Sequence, residues 1–319
     1  MRNLFKIAVN AFRESLREPV YCLMLLAALL LIGHYPSAAI FVFSEQLKLV
    51  VDSSMATGLL FGLVVAVLCA SNTVAREMRN GTVLLLLSKP VSRWSFILGK
   101  ILGITAAAAL FTLLCNLGCV ISVFVATDQF RFEMPLYFGF LGIIAAGAAV
   151  GMFANFWRGS SFPEVCTYAL TVMVTVMTVA LLALRPPPSL VLADLFKALL
   201  MVNCAVVAMA TIAVVAATRL DVVPNLCVCT AIFFLGLLSN HLFQRQTGSA
   251  VLDGLLSILY SVFPNWQFFW LVDAVAVRKH IPMSYVWMAM LYMAMYVALA
   301  SLWAVALFQN REAAGDSRN

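Results

Sequence analysis

"VAREMRNGTVLLLLSKPVSRWSFILGK", residues Val74 to Lys100, sets Arg76, Glu77, Arg79, Lys89, Arg93 and Lys100 around one short apolar run, Val83 to Leu87. Only 11% of the chain is charged, so six charges gathered in one stretch mark a connection that stays in water. On both sides the sequence turns apolar for about 20 residues or more, the length an α-helix needs at about 1.5 Å per residue to cross hydrocarbon. The stretch therefore reads as a polar loop between two membrane spans.

The rest of the sequence extends that pattern. Hydrophobic residues make up 64% of 319, and the mean hydropathy is +1.01, values that a water-soluble domain could not hold without exposing most of its apolar surface. Alternating ten-residue strands are absent, which argues against a β-barrel. The expected fold class is an all-α polytopic membrane protein of about eight spans, forming one transmembrane domain over residues 1–319. The spans fall at about 20–35, 55–75, 95–126, 136–156, 164–184, 192–217, 226–243 and 284–308, and the polar segment 43–54 reads as the first connection. Val20 to Gly33 is read as the first span and not as a cleaved signal, because the region before it is long and carries Glu14 and Glu18.

Three further segments have patterns of their own. Residues 1–18 place Leu4, Phe5, Ala8, Val9, Phe12 and Leu16 on one helical face opposite Lys6, Asn10, Arg13, Glu14 and Arg17, which predicts an amphipathic helix in the membrane interface. Residues 244–283 hold two apolar pieces, each too short to cross, joined at Pro264-Asn265. They either dip into one leaflet and return or lie flat on it. Residues 309–319 form a polar tail.

The net charge of +6 does not point to nucleic acid, because the cations lie at span ends and not in one aromatic-laced stripe. Lys48, Arg131, Arg185, Lys197, Arg245, Arg278 and Lys279 fall on one side of an eight-span arrangement, and the other thirteen of the twenty Lys and Arg fall on the side of both termini. The excess predicts cytoplasmic termini in a cell (inner) membrane.

Several chemistries find no support. No G-x-x-x-x-G-K-[ST] loop occurs, so the chain has no P-loop for ATP, and H-E-x-x-H and G-x-S-x-G are also missing. Ser160 and Ser161 read as caps of the fifth span, and the eight cysteines as small apolar packing residues. No residue is assigned to catalysis, to a metal or to a cofactor.

Within the opening stretch, Gly81 suits a helix end and Thr82 an N-cap, so Val83 to Ser88 can form a two-turn helix stopped by Lys89-Pro90. Ser92 can cap the third span, with Trp94 at the interface. A short helix held out of the bilayer leaves Leu84, Leu85, Leu86 and Leu87 in need of a protein partner, or else lying among headgroups.

Glu77-Met78-Arg79-Asn80-Gly81-Thr82, then Leu87-Ser88-Lys89-Pro90-Val91-Ser92-Arg93 and Gly99-Lys100, resembles the E-x-x-x-G-T…L-S-x-P-[VI]-x-R…G-K signature of membrane subunits of type-2 ABC exporters. Pro264-Asn265-Trp266-Gln267-Phe268-Phe269, Ile281-Pro282 and Asn310-Arg311-Glu312 are similar to the C-terminal third of bacterial permeases associated with multi-copper enzyme maturation. The resemblance covers about two thirds of the chain. It implies an interfacial N-terminal helix, an ATPase-docking coupling helix within 76–94, and a re-entrant pair broken at Pro264 and Asn265. It also implies a partner ABC ATPase that carries the ATP and Mg, and a second permease subunit. That family has six spans and this sequence reads as eight, so one hairpin, about 136–184, looks inserted. The competing classes are an energy-independent transporter or channel, for which Asn116, Asn155 and Asn203 are the polar residues at mid-span, and a non-transporting scaffold. Few charges in the spans favour an apolar or amphipathic cargo over a small ion.

Overall fold

A computed structural model of the chain describes residues 2–42, 45–76, 93–126, 131–185, 192–243, 250–277 and 279–315. These residues form twelve α-helices and no β-strand. In chain order they are α1 (Arg2–Arg17), α2 (Pro19–Ala38), α3 (Gln46–Ala70), α4 (Arg93–Val125), α5 (Met134–Arg158), α6 (Phe162–Leu184), α7 (Leu192–Ala217), α8 (Val222–Leu237), α9 (Ser239–Phe243), α10 (Ala250–Val262), α11 (Val272–Ala276) and α12 (Met283–Gly315). Among the described residues, seven helices are long and apolar enough to cross a membrane. The protein is an all-α polytopic membrane protein.

α4 and α7 form its centre, with 78% of the most apolar stretch of each buried, whereas α12 buries 17% and turns most of its surface outward. Around that centre, polar side chains are spent on joining helices. Pro36 continues α2 but lacks the N–H that would bond Ile32, and the Ser122 hydroxyl of α4 donates to the Ile32 carbonyl at 2.8 Å instead. Asn116 of α4 donates to the Leu199 carbonyl at 2.9 Å, and Asn203 of α7 donates to the Ala109 carbonyl at 3.1 Å.

Contacts at the helix ends sort the chain into two faces. At one, Arg17 pairs with Glu164 at 2.6 Å, Glu14 with Lys100 at 3.1 Å, and Arg219 donates to the Leu307 carbonyl at 2.6 Å. At the other, Arg185 pairs with Glu133 at 2.7 Å, and Asp194 receives Lys197 at 2.8 Å and the backbone N–H of Ile281 at 3.3 Å. We call the first the basal end. α12 thus runs from the far end, beside Asp194, to the basal end, beside Arg219. Since α8 starts at the basal end, the chain passes from the basal to the far end between 222 and 283.

Three expectations are corrected. Residues 46–54 are helical: α3 begins at Gln46 and buries Gln46, Val50, Val51 and Ser54 at helical spacing, so Lys48 and Asp52 ride on a helix and not on a loop. The span expected at 226–243 is not one continuous helix. α8 has 16 residues, about 24 Å at the usual rise against about 30 Å of hydrocarbon, and the chain bends at Leu238 before α9. An eighth span exists if Val251–Val262 and Trp266–Ala276, inclined at 42°, count as one broken span. Finally, Ser161 occupies the N-cap of α6 without a side-chain cap bond. The Asn155 side-chain amide braces the turn instead, donating to the Ser160 carbonyl at 2.7 Å.

Candidate functional site

Of the docking residues expected within 76–94, the structure describes Arg76 and the backbone of Arg93. Glu77, Arg79, Gly81, Thr82, Leu84, Leu85, Leu86, Leu87, Lys89 and Pro90 lie outside the described residues. What the structure defines is the frame on which they are mounted: the last turns of α3, the first turns of α4, and α1 laid against both.

α3 does not end as a regular helix. Ser71–Ala75 is π-helical, and the Arg76 backbone N–H donates to the Ser71 carbonyl five residues back. Such a turn widens the backbone by one residue and is common where helices carry function. Ser71, Thr73, Val74 and Ala75 are buried, and the Thr73 hydroxyl has no hydrogen-bond partner among the described residues. The π turn is gripped from two sides. Asn72 donates to the Glu18 carboxylate at 3.3 Å, which joins it to the α1–α2 corner. Asn225 of α8, fully buried, donates to the Ser71 hydroxyl at 2.9 Å and to the Ala213 carbonyl of α7 at 3.1 Å.

α1 meets α4 over two glycines. A Cβ on Gly99 would stand 2.8 Å from the Ile7 side chain, and one on Gly103 would stand 2.6 Å from Ala11 Cβ and 2.9 Å from the Phe12 nitrogen. Bare backbone lets the helices touch there. Next to Gly99, Lys100 is 2% exposed and reaches Glu14. The Gly99-Lys100 pair of the sequence signature therefore serves to clamp α1. The helix forms where the sequence placed it, but its packed face is Ala8, Ala11, Ser15 and Leu16 turned to protein, while Phe5 is 69% exposed.

The second site, at Pro264 and Asn265, is packed into the bundle. Asn265 is 1% exposed, and Trp266, Phe269, Val272 and Val275 are also buried. Asn265 donates its amide to Asn240 at 2.7 Å, and its backbone N–H donates to the Tyr292 hydroxyl at 3.0 Å. Tyr296 donates to the Val262 carbonyl at 2.9 Å and Tyr285 to the Phe268 carbonyl at 2.8 Å. Tyr285, Tyr292 and Tyr296 occupy one face of α12, so their hydroxyls serve the backbone groups that the break leaves open.

Sequence reading missed Asn225, Ser71, Asn72 and Asn240, which join segments far apart in the chain. The one signal available was an uncharged amide inside or beside an apolar run. Asn116, Asn155 and Asn203, weighed as signs of a polar pathway, bond to backbone carbonyls of neighbouring helices or of their own turn.

No protein-family model matches the sequence, and no curated protein matches it either.

Proposed function

We propose that the chain is the transmembrane permease subunit of an ATP-binding-cassette exporter, paired with a second permease subunit and driven by a separately encoded ATPase. The observation that carries this reading is the setting of the signature. The E-x-x-x-G-T…L-S-x-P-[VI]-x-R residues lie between the end of α3 and the start of α4, two of the best-buried helices, where a push on the 77–92 segment would reach the core directly. Closure of the ATPases around ATP and Mg would displace that segment and tilt α3 and α4. This chain lacks a P-loop and supplies movement, not hydrolysis.

The deciding experiment is isolation of the tagged chain from its native membrane in mild detergent. An ATPase bearing a P-loop is expected to accompany it in equal amount, and ATP with Mg should be hydrolysed by the complex and not by the chain alone. A chain that arrives without an ATPase, and transports after reconstitution without ATP, overturns the reading.

The reading also places both termini in the cytoplasm of a cell (inner) membrane, as the basic residues ask. Reporter fusions at Asn319 and in the Asp128 to Pro135 turn are expected to report opposite sides. Matching sides would break that topology.

A further inference from the structure

α8 is held at both ends by contacts that its own backbone invites. At the basal end Asn225 binds the Ser71 hydroxyl of the π turn, and the Asn225 side-chain oxygen also accepts from Cys229 at 3.3 Å. At the other end α8 stops at Leu237, and the Leu238 N–H donates back to the Phe234 carbonyl at 3.0 Å. The broken segment meets this end: Gln267 donates to the Leu237 carbonyl, which has no i+4 partner within the helix, at 2.9 Å, and Trp266 to the Ile232 carbonyl at 3.5 Å. A Cβ on Gly236 would stand 2.5 Å from the Trp266 indole nitrogen and would collide with the Pro264 carbonyl, so the break seats directly on the helix. Phe233 lies beside Trp266, with ring centroids 6.4 Å apart.

We infer that α8 is a rigid link between the π turn of α3 and the Pro264-Asn265 break, with Asn225 and Gln267 as its positioning residues. The two grips, at Asn225 and Leu237, are twelve residues apart, about 18 Å along an α-helix, with no break between them. Displacement of the π turn, which leads directly into the 77–92 segment, pulls Asn225, and α8 carries the shift to the break. There the amides of Asn240, Asn265 and Gln267 exchange partners more readily than packed side chains deform. The purpose of such a link rests on the exporter reading, but the link itself is measurable without any ATPase.

Hydrogen–deuterium exchange on the full chain in lipid nanodiscs tests it. Asn225→Ala and Ser71→Ala are each expected to speed exchange about tenfold in a peptide over residues 261–270, with the α5–α6 hairpin unchanged. Since equilibrium coupling is reciprocal, Gly236→Ala is expected to speed exchange over residues 68–76 by a similar factor. If Asn225→Ala does not accumulate, Ser71→Ala decides alone, because it leaves Asn225 its Ala213 carbonyl. Changes confined to the substituted end, or spread evenly over the whole chain, overturn the inference. Such a failure would leave the ATPase isolation experiment untouched, and loss of the ATPase there would leave this exchange pattern standing.

Discussion

Leu85→Glu or Leu86→Glu is expected to separate the ATPase from the chain while leaving membrane insertion intact. A leucine buried in a partner groove contributes about 1.5 to 3 kcal/mol, and a carboxylate in its place must be desolvated or left outside. At about 1.4 kcal/mol per tenfold, the loss of affinity should be about 100-fold or more. Co-purification and ATP hydrolysis by the reconstituted complex both read it. Glu77→Ala, which removes a rim charge, should weaken coupling far less, because rim charges orient more than they hold. If the charged leucine variants keep normal ATPase binding and transport, residues 83–87 are an anchor among headgroups and the exporter reading loses its main support.

The second large effect concerns the clamp on α4. Gly103→Val puts a branched side chain where Ala11 Cβ stands 2.6 Å away and the Phe12 backbone nitrogen 2.9 Å away, and backbone cannot yield as a flexible side chain can. Overpacking of this kind costs about 1 to 3 kcal/mol, and the upper end applies here. Because α1 supplies Glu14 to the buried Lys100, lifting it also weakens a desolvated ion pair. Unfolding in detergent should show the loss, and limited proteolysis should cut within residues 1–18 first. A variant as stable as the parent, with residues 1–18 protected, would mean that α1 is held by something other than this contact.

How much of this was legible depends on how far apart the interacting residues lie. Helices such as α4, α5, α6 and α7 declare themselves through apolar length and end where charges, prolines or glycines appear, so their bounds agree with the sequence within a few residues, whereas α12 runs on to Gly315, seven residues into the expected polar tail. The start of α3 was hidden because Lys48, Asp52 and Ser53 look like a loop until Val50 and Val51 are seen to be buried. α8 was drawn too long because Ser239 to Phe243 is helical as well and only the bend at Leu238 separates the two, while Gln267, 30 residues on, donates to the Leu237 carbonyl where α8 stops. The 77–92 segment was legible only as a motif, and the frame on which it is mounted was not legible. Ser71 and Asn225 are 154 residues apart and carry no pattern that links them.

The clamp of α1 on α4 also sets a schedule for making the protein. Glu14 and Lys100 are separated by 86 residues, and at about 5 to 20 residues per second a ribosome needs about 4 to 17 s to deliver the second after the first. Throughout that interval the nascent α1 has no groove of Gly99 and Gly103 to enter. Its face of Leu4, Ala8, Phe12 and Leu16 can wait among lipid headgroups, as an amphipathic helix does, until α4 is inserted. Ala8 and Leu16, common to that face and to the one packed in the fold, thus suit two addresses in turn, membrane surface during synthesis and protein core afterwards. The amphipathic pattern in the sequence is the trace of the first.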